Sequence, residues 1–282
     1  MTHTMEMLGK TKVSVKDESV VEVGEPEIKY CPLFDKVRGI KEVTSQAAAE
    51  NMEFRIEKHG MFSSRRRLEM DTFVGFGASE SMMTGIMHGN IDGAVTVCDG
   101  AGTVITANAQ LIQGMGGYIS GLTRTDPIPE ILEGIKEREG HVLSPQDARI
   151  NQLEGAKWAA SNGYARFAVT VADTDTAEKL RELETRTGVK ILIIGVHLTG
   201  IGPQDAKRLL AVADIVTSCA SLHIRELVKP MVQVGTAVPL FGLTKWGKDL
   251  LVERAKEVEQ PLLINTMALP VLPKHKQPRP LV

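Results

Sequence analysis

Residues 94–104 read AVTVCDGAGTV. This stretch decides the fold, because an apolar, β-branched run ends in Cys98 and Asp99 and passes directly into a glycine-rich turn. A short run that is apolar on both faces is typical of a strand buried in a parallel sheet. The turn from Asp99 to Thr103 then lies where open α/β sheets bind ligands, at the carboxyl end of the strand. Three alternatives follow: a presented thiol, a carboxylate that holds a ribose, or a tight turn without a ligand.

The composition indicates a globular protein of one or two domains. The chain has 282 residues, of which 43% are hydrophobic and 24% charged. A net charge of -2 and an aromatic content of 4% give no basic field or stacking surface for nucleic acid. The sequence has no run of about 18 apolar residues for a membrane span and no apolar core of a signal peptide. We therefore expect a cytoplasmic protein with no nucleic-acid or membrane partner and a small-molecule substrate.

Strand, turn and helix alternate from residue 70 onward. The predicted strands lie in 71–77, 91–100, 165–173, 190–200, 214–221 and 233–244. This alternation predicts an α/β fold, with a Rossmann-like, doubly wound and mostly parallel sheet over 70–260. Residues 111–130 hold four glycines and two prolines, a composition that favours a functional loop over a plain crossover.

The two ends of the chain show different patterns. Residues 11–30 alternate apolar and polar side chains around a KDES turn, which predicts a β-hairpin. A helix is expected from Ser45 to His59, with Gly60 as its stop signal. Residues 1–69 would then form a hairpin-helix extension. The Pro-rich tail at 261–282 is expected to be extended, either disordered or as an arm on a neighbouring subunit of a homodimer or homotetramer.

The segment VGFGASES begins like a dinucleotide-binding turn. Gly75 and Gly77 form the G-x-G pattern, but Glu80 stands where a third glycine belongs. A carboxylate opposes a pyrophosphate, so the pattern favours the cationic sulfonium ligand S-adenosylmethionine over NAD. The alternative is a tight turn in which Ser79 caps the helix.

Asp99 adds to this hypothesis by its spacing. It follows Gly77 by 22 residues (99 − 77) at the end of the next strand, where an acid commonly accepts both ribose hydroxyls. Gly100, Gly102 and Thr103 would complete that wall of the pocket. The alternative is an Asx-turn that needs no ligand.

Other strand ends carry polar and thiol side chains. They are Asp173, Thr174, Thr176, His197, Thr199, Cys219, Ser221 and His223. His197 and His223 could act as general acid or base, or be hydrogen-bonded strand-end residues. Asp173 or Thr174 is first of all an N-cap. Cys98 and Cys219 could form a two-thiol racemase, although small buried cysteines are common in cores.

Two further features concern cysteines and charge. Cys31, Cys98 and Cys219 are widely spaced without a CxxC pattern, so we expect neither a disulfide framework nor a metal site. The Arg65-Arg66-Arg67 triplet is either a solvated edge or a pocket for a phosphate-bearing ligand.

Several motifs together resemble the DUF2099 family. They are YCPLF at 30–34, AAAENMEFRIEKHGMFSSRR, VGFGASE, VCDGAGTVIT and QGMGGYISGL. The family is known as methanogenesis marker protein 8 of methanogenic archaea. The resemblance covers most of the chain and implies a cytoplasmic archaeal protein of anaerobic metabolism, without a settled activity.

The overall layout is also similar to the pyridinol C-methyltransferase of iron-guanylylpyridinol cofactor biosynthesis. That similarity implies methyl transfer from S-adenosylmethionine to a hydroxypyridine ring carbon. Asp99 and the Gly75–Gly77 turn would hold the donor, while Thr174, Thr176 and His197 would line the acceptor pocket. A non-catalytic assembly factor and the two-cysteine racemase are the alternatives.

Overall fold

The computed structural model describes residues 1–72 and 74–282. Its strands are β1 Thr2–Met7, β2 Thr11–Lys16, β3 Ser19–Val23, β4 Gly93–Cys98, β5 Gly102–Thr106, β6 Gly121–Arg124, β7 His141–Val142, β8 Arg166–Val171, β9 Lys190–Gly195, β10 Ile215–Thr217, β11 Val232–Val234 and β12 Leu240–Gly242. Its helices are α1 Pro32–Arg38, α2 Ser45–His59, α3 Ala78–Met87, α4 Ala109–Gly116, α5 Pro129–Glu137, α6 Gln152–Ser161, α7 Thr174–Thr187, α8 Pro203–Val212, α9 Leu222–Leu227 and α10 Lys245–Lys256.

The larger sheet has eight strands in the order β11-β12-β10-β9-β8-β4-β5-β7. Strands β4, β8, β9 and β10 are parallel, whereas the pairs on either side of them are antiparallel. The predicted α/β class is confirmed, but the mostly parallel, Rossmann-like sheet is not, because the sheet is mixed. The difference begins at β4, which turns back into β5 through Gly100 and Gly102, both with positive φ, instead of entering a crossover helix.

Helices cover both faces of this sheet. Buried side chains of α6, α7, α8 and α9 pack on one face, and those of α3, α4, α5 and α10 pack on the other. The parallel strands follow one another across the sheet in chain order, so right-handed crossovers place α6, α7 and α8 on the same side. Within the described strands this parallel order never reverses, so the expected topological switch point is absent. A site must be sought along the whole carboxyl edge.

The smaller sheet is antiparallel, in the order β3-β2-β1-β6. The predicted hairpin is confirmed as β2 and β3, joined by Asp17 and Glu18 in left-handed conformations, with φ of 48° and 62°. The sequence pattern missed β1 and β6. Strand β6 comes from the 111–130 segment, which also supplies most of α4, so this segment is largely structured.

Helix α2 has the predicted bounds. The Thr44 side chain accepts a hydrogen bond from the Ala47 amide at its start, and Gly60 ends it with a φ of 65°. The predicted first strand at 71–77 is wrong for 71–72 and 74–77, which form no strand, and Phe73 lies outside the described residues. In the described part of the chain, no helix is long and apolar enough to cross a membrane.

The tail carries no strand within 261–282 and only a single helical turn, at Lys274–Lys276. Its last residue packs against the carboxyl edge of the large sheet. The Val282 carbonyl oxygen accepts hydrogen bonds from the Leu222 amide at 2.9 Å and the Gly200 amide at 3.3 Å. Arg279 forms a β-bridge with Tyr30. The tail and the segment before α1 therefore meet beside the ends of β9 and β10.

Candidate functional site

Asp99 forms a buried ion pair inside the protein. Its Oδ1 lies 2.9 Å from Arg66 Nε, and both side chains are 0% exposed. Its Oδ2 accepts a hydrogen bond from the Phe62 amide at 2.7 Å. Burial lowers the pKa of Arg66, but the charge and hydrogen bond of Asp99 hold it above its usual value. Both carboxylate oxygens thus join the segment after α2 to the β4–β5 turn.

The rest of this turn is also packed by protein atoms. Gly100, Gly102 and Thr103 are buried. A Cβ at Gly100 would meet Ile131, and one at Gly102 would overlap the Ala148 backbone. These glycines are needed for positive φ and close packing. The geometry is that of a tight hairpin turn.

The VGFGASES segment folds around its own carboxylate. Glu80 is 2% exposed and accepts hydrogen bonds from Ser79 Oγ at 3.0 Å and Gln113 Nε2 at 3.1 Å. Arg254 Nε donates to the Gly75 carbonyl at 2.8 Å, and a Cβ at Gly77 would overlap Glu80. The Glu80 carboxylate, which the sequence pattern assigned to a ligand-binding turn, therefore has hydrogen-bond partners within the protein.

The predicted threonines lie at the start of α7. Thr174 is 4% exposed, and its hydroxyl donates to the Asp205 carbonyl at 3.1 Å. Asp173 caps the helix by accepting from the Thr176 amide at 2.8 Å. The predicted N-cap is therefore present and is formed by Asp173, and Thr176 is half-buried beside it.

The three cysteines have different surroundings. Cys98 is fully buried, its thiol donates to the Asp99 carbonyl at 3.3 Å, and burial raises its pKa well above the usual value. Cys219 is half-buried at the end of β10 and shares an electrostatic cluster with Cys31 and Arg225. A proton-transferring thiol needs contact with its substrate, so the buried position of Cys98 disfavours the predicted Cys98–Cys219 pair.

His197, at the end of β9, is held from two sides. Its Nε2 lies 2.7 Å from Glu6 Oε2 on β1, and this hydrogen bond lowers the pKa of Glu6. Its ring packs so closely on Gly121 that a Cβ there would overlap it. Within the described residues Nδ1 has no hydrogen-bond partner, so this nitrogen is available to a ligand. The side chain of His197 is 20% exposed.

Arg225, on α9, is the most unusual group at this edge. It is 4% exposed, and its Nη2 donates to the Ala237 carbonyl at 3.0 Å and to the Cys219 carbonyl. Its Nε and Nη1 have no hydrogen-bond partner in the described part of the chain, and none of the carboxylates there pairs with it. Burial lowers its pKa to about 10, while Cys219 and Cys31 act in the opposite direction.

The backbone at this edge is strained. His197 and Cys219 have φ of 58° and 44°, in the left-handed region that residues with a side chain rarely adopt. Such strain, of order 1–3 kcal/mol for each residue, is concentrated at functional sites. The Ser218 hydroxyl is also buried without a partner among the described residues. We call Cys219, Cys31 and Arg225 the carboxyl-edge cluster; the His197–Glu6 pair lies at the end of the neighbouring strand β9.

The remaining predicted residues have local roles. Thr199 Oγ1 accepts from the Ala220 amide at 3.2 Å, and Ser221 caps α9 by accepting from the Ile224 amide at 3.2 Å. His223 Nδ1 is 3.7 Å from Glu226. The arginine triplet is divided, since Arg66 is buried whereas exposed Arg65 pairs with Glu18 at 2.7 Å.

Sequence reasoning missed Glu6, Cys31 and Arg225. The sequence contains only weak signals for two of them. Cys31 stands directly before Pro32, and Arg225 is a single arginine in the short apolar segment LHIREL. Arg225 lies near Cys31, and Glu6 contacts His197, only through long-range packing, which local patterns do not reveal.

The comparisons place the chain among archaeal proteins. It is 46% identical over 283 aligned residues to an uncharacterized protein of Methanocaldococcus jannaschii, and the alignment covers 99% of each chain. No solved structure matches it. The family model described as "Uncharacterized protein conserved in archaea (DUF2099)" matches residues 3–256. On both grounds, this chain belongs to the archaeal DUF2099 family.

Proposed function

We propose that this protein is an enzyme that binds a small anionic substrate at the carboxyl-edge cluster. The observation that carries the proposal is the buried guanidinium of Arg225, with two nitrogens unpartnered among the described residues. An uncompensated buried charge costs several kcal/mol, and each unsatisfied buried polar group costs about 1–3 kcal/mol. A carboxylate or phosphate that accepted from Nε and Nη1 would remove both costs, because guanidinium binds such groups in a bidentate manner.

His197, held by Glu6 at the end of the neighbouring strand β9, would supply proton transfer to a substrate long enough to reach it from Arg225. Glu6 holds Nε2 of the imidazole, so Nδ1 is oriented by a fixed hydrogen bond. A carboxylate that orients an imidazole in this way is a common arrangement for general acid–base catalysis. Cys219 adds a thiol next to the proposed anion, on the neighbouring strand. The reaction class that these groups support is proton abstraction from, or thiol addition to, an anionic substrate.

The methyl-transfer hypothesis stays a prediction. Its support is the resemblance described above, together with membership of an archaeal family. In its acceptor half, His197 would face the acceptor and an acidic hydroxypyridine would present an anion to Arg225, whereas the Thr174 hydroxyl already donates to the Asp205 carbonyl. Its donor half lacks support from the geometry, since Asp99 already has protein partners on both oxygens. The name methanogenesis marker and a Rossmann-like donor site are likewise proposals.

A titration with simple anions tests the proposed function. Isothermal titration of the full chain with inorganic phosphate, acetate and a hydroxypyridine carboxylate should give saturable heat with at least one of them. The Arg225→Met variant should lose that binding by roughly tenfold to a hundredfold, the usual value of charge-assisted hydrogen bonds. Arg186→Met, which removes an exposed arginine on α7, serves as the matched control.

The variant should fold, because replacing a poorly paired buried charge by an apolar group is often neutral. If the Arg225→Met variant keeps the wild-type thermal unfolding midpoint but loses binding, the proposal that Arg225 binds the anion is supported. Binding that is equal in wild-type and Arg225→Met protein would refute it. Adding S-adenosylmethionine to the same titration tests the methyl-donor hypothesis separately.

A further inference from the structure

A second group of cations lines a small cavity between α1 and α2. The cavity has a volume of about 20 Å³. It is lined by Phe34, Arg38, Asn51, Phe54, Arg55 and Tyr118. A volume of this size admits one water-sized group, such as the oxygen end of a carboxylate or phosphate.

Arg55 is a buried cation without a carboxylate partner. It is 5% exposed, its Nε donates to Asn51 Oδ1 at 3.0 Å, and its Nη1 donates to Ser120 Oγ at 3.3 Å and to the Tyr118 carbonyl. Its Nη2 has no hydrogen bond within the described residues. Burial, with a smaller contribution from the charge of Arg38, lowers its pKa to about 10, while Tyr118 acts in the opposite direction. A neutral donor side chain could make the same hydrogen bonds to these neutral acceptors without the free-energy cost of burying a charge. The buried positive charge therefore indicates a further role for Arg55.

Arg38 brings a second guanidinium to the cavity. Its Cζ lies 3.5 Å from the centroid of the Phe54 ring, and the side chain is otherwise exposed. Two cations that share one cavity repel each other, and this repulsion is removed when an anion lies between them. Neither Arg38 nor Arg55 forms an ion pair among the described residues.

Aromatic rings form the rest of the wall. Phe34, Phe54 and Tyr118 line the cavity, and Tyr118 stacks on His59 at 3.7 Å between centroids with an interplanar angle of 22°. Burial and the neighbouring arginines lower the pKa of His59 to about 4, so its ring is neutral near pH 7. Flat, uncharged rings beside two guanidinium groups provide faces on which a planar ligand can stack.

We propose that this cavity is a second binding site, which takes the carboxylate or phosphate group of a small planar ligand. The oxyanion would enter between Arg38 and Arg55, and the planar part would lie outside against Phe34. This site is separate from Arg225 and does not depend on the proposed function. It would give the protein two anion sites.

Titration with two planar anions tests the second site. Benzoate and phenyl phosphate are titrated into the full chain by calorimetry, with ligand contacts followed by saturation-transfer NMR. Arg38→Met should weaken binding of at least one probe by roughly tenfold to a hundredfold. Because Arg38 is exposed, this variant should fold normally, and Arg186→Met again serves as the matched control. Arg55→Lys keeps the positive charge but loses the planar guanidinium group that can bind an oxyanion through two nitrogens, so this variant should also weaken binding.

The outcomes separate the two sites and the two ligand chemistries. Binding that Arg38→Met weakens and Arg225→Met leaves unchanged supports the proposal, and the preferred probe identifies carboxylate or phosphate. No binding of either probe overturns it. Binding that is equal in wild-type and Arg38→Met protein, or that only Arg225→Met removes, also overturns it.

Discussion

Replacing Asp99 by asparagine separates the two roles that this residue could have. If its carboxylate is the counter-ion of Arg66, the Asp99→Asn variant leaves a buried cation without compensation. Both side chains are 0% exposed, and the ion pair spans 2.9 Å. Removing one partner of such a pair costs about 3–5 kcal/mol. That loss is a large part of a typical folding free energy of about 5–15 kcal/mol.

The assay is equilibrium unfolding in urea, followed by circular dichroism. With an m-value of about 3 kcal/mol per molar, the midpoint should fall by roughly 1–1.7 M. The neighbouring pair of Arg65 and Glu18 provides a matched control, because its side chains are 63% and 44% exposed. Glu18→Gln should therefore change stability by at most about 1 kcal/mol.

The double variant Arg66→Met/Asp99→Leu should recover part of the loss. Recovery should be incomplete because Arg66 also donates to the Met115 carbonyl at 3.1 Å, which would lose its partner. An Asp99→Asn protein that kept wild-type stability would refute the counter-ion role. If that variant also lost affinity for a nucleoside ligand, the ribose-binding hypothesis would be favoured instead.

Three further predictions concern titration, packing and thiol reactivity. Burial lowers the folded-state pKa of His59 from 6.5 to about 4, so the unfolded chain binds more protons in that range. The free energy of unfolding should therefore fall by about 2–3 kcal/mol from pH 6.5 to pH 4, and His59→Phe should flatten this dependence in urea midpoints. Gly121→Ala should push the His197 ring away from Glu6 and cost about 1–3 kcal/mol, whereas Gly202→Ala, with open space around it, should be close to neutral in the same measurement. Iodoacetamide should alkylate Cys219 in the native protein well before Cys98, as followed by peptide mass spectrometry; early labelling of Cys98 would contradict its buried position.

Local sequence patterns were sufficient to predict many of the strands and helices. The apolar runs Phe167–Val171 and Ile191–Ile194 are buried on both faces, as parallel strands should be, and α2 begins and ends at its predicted signals. The order of the strands was not predictable in this way. Whether β4 passes into a crossover or a hairpin depends on the two residues with positive φ, Gly100 and Gly102, and on the partner available to β5.

The candidate site was less predictable than the fold. His197 and Cys219 were found because strand ends are recognisable from sequence. Asp99 was assigned to a ligand because its spacing from Gly77 matched a known pattern, but spacing carries no information about Arg66. Arg225 and Glu6 became visible only from long-range packing, in which β1 and the chain end meet the carboxyl edge.

The central claim is that Arg225 binds an anion at the carboxyl edge. A crystal structure of the protein with selenate, located by its anomalous scattering, tests this most directly. We expect an anomalous peak for a selenate ion whose oxygens lie within about 3 Å of Arg225 Nε and Nη1, and no peak there in Arg225→Met crystals. A structure in which both nitrogens contact only protein or ordered water, at selenate concentrations that fill other sites, would contradict it.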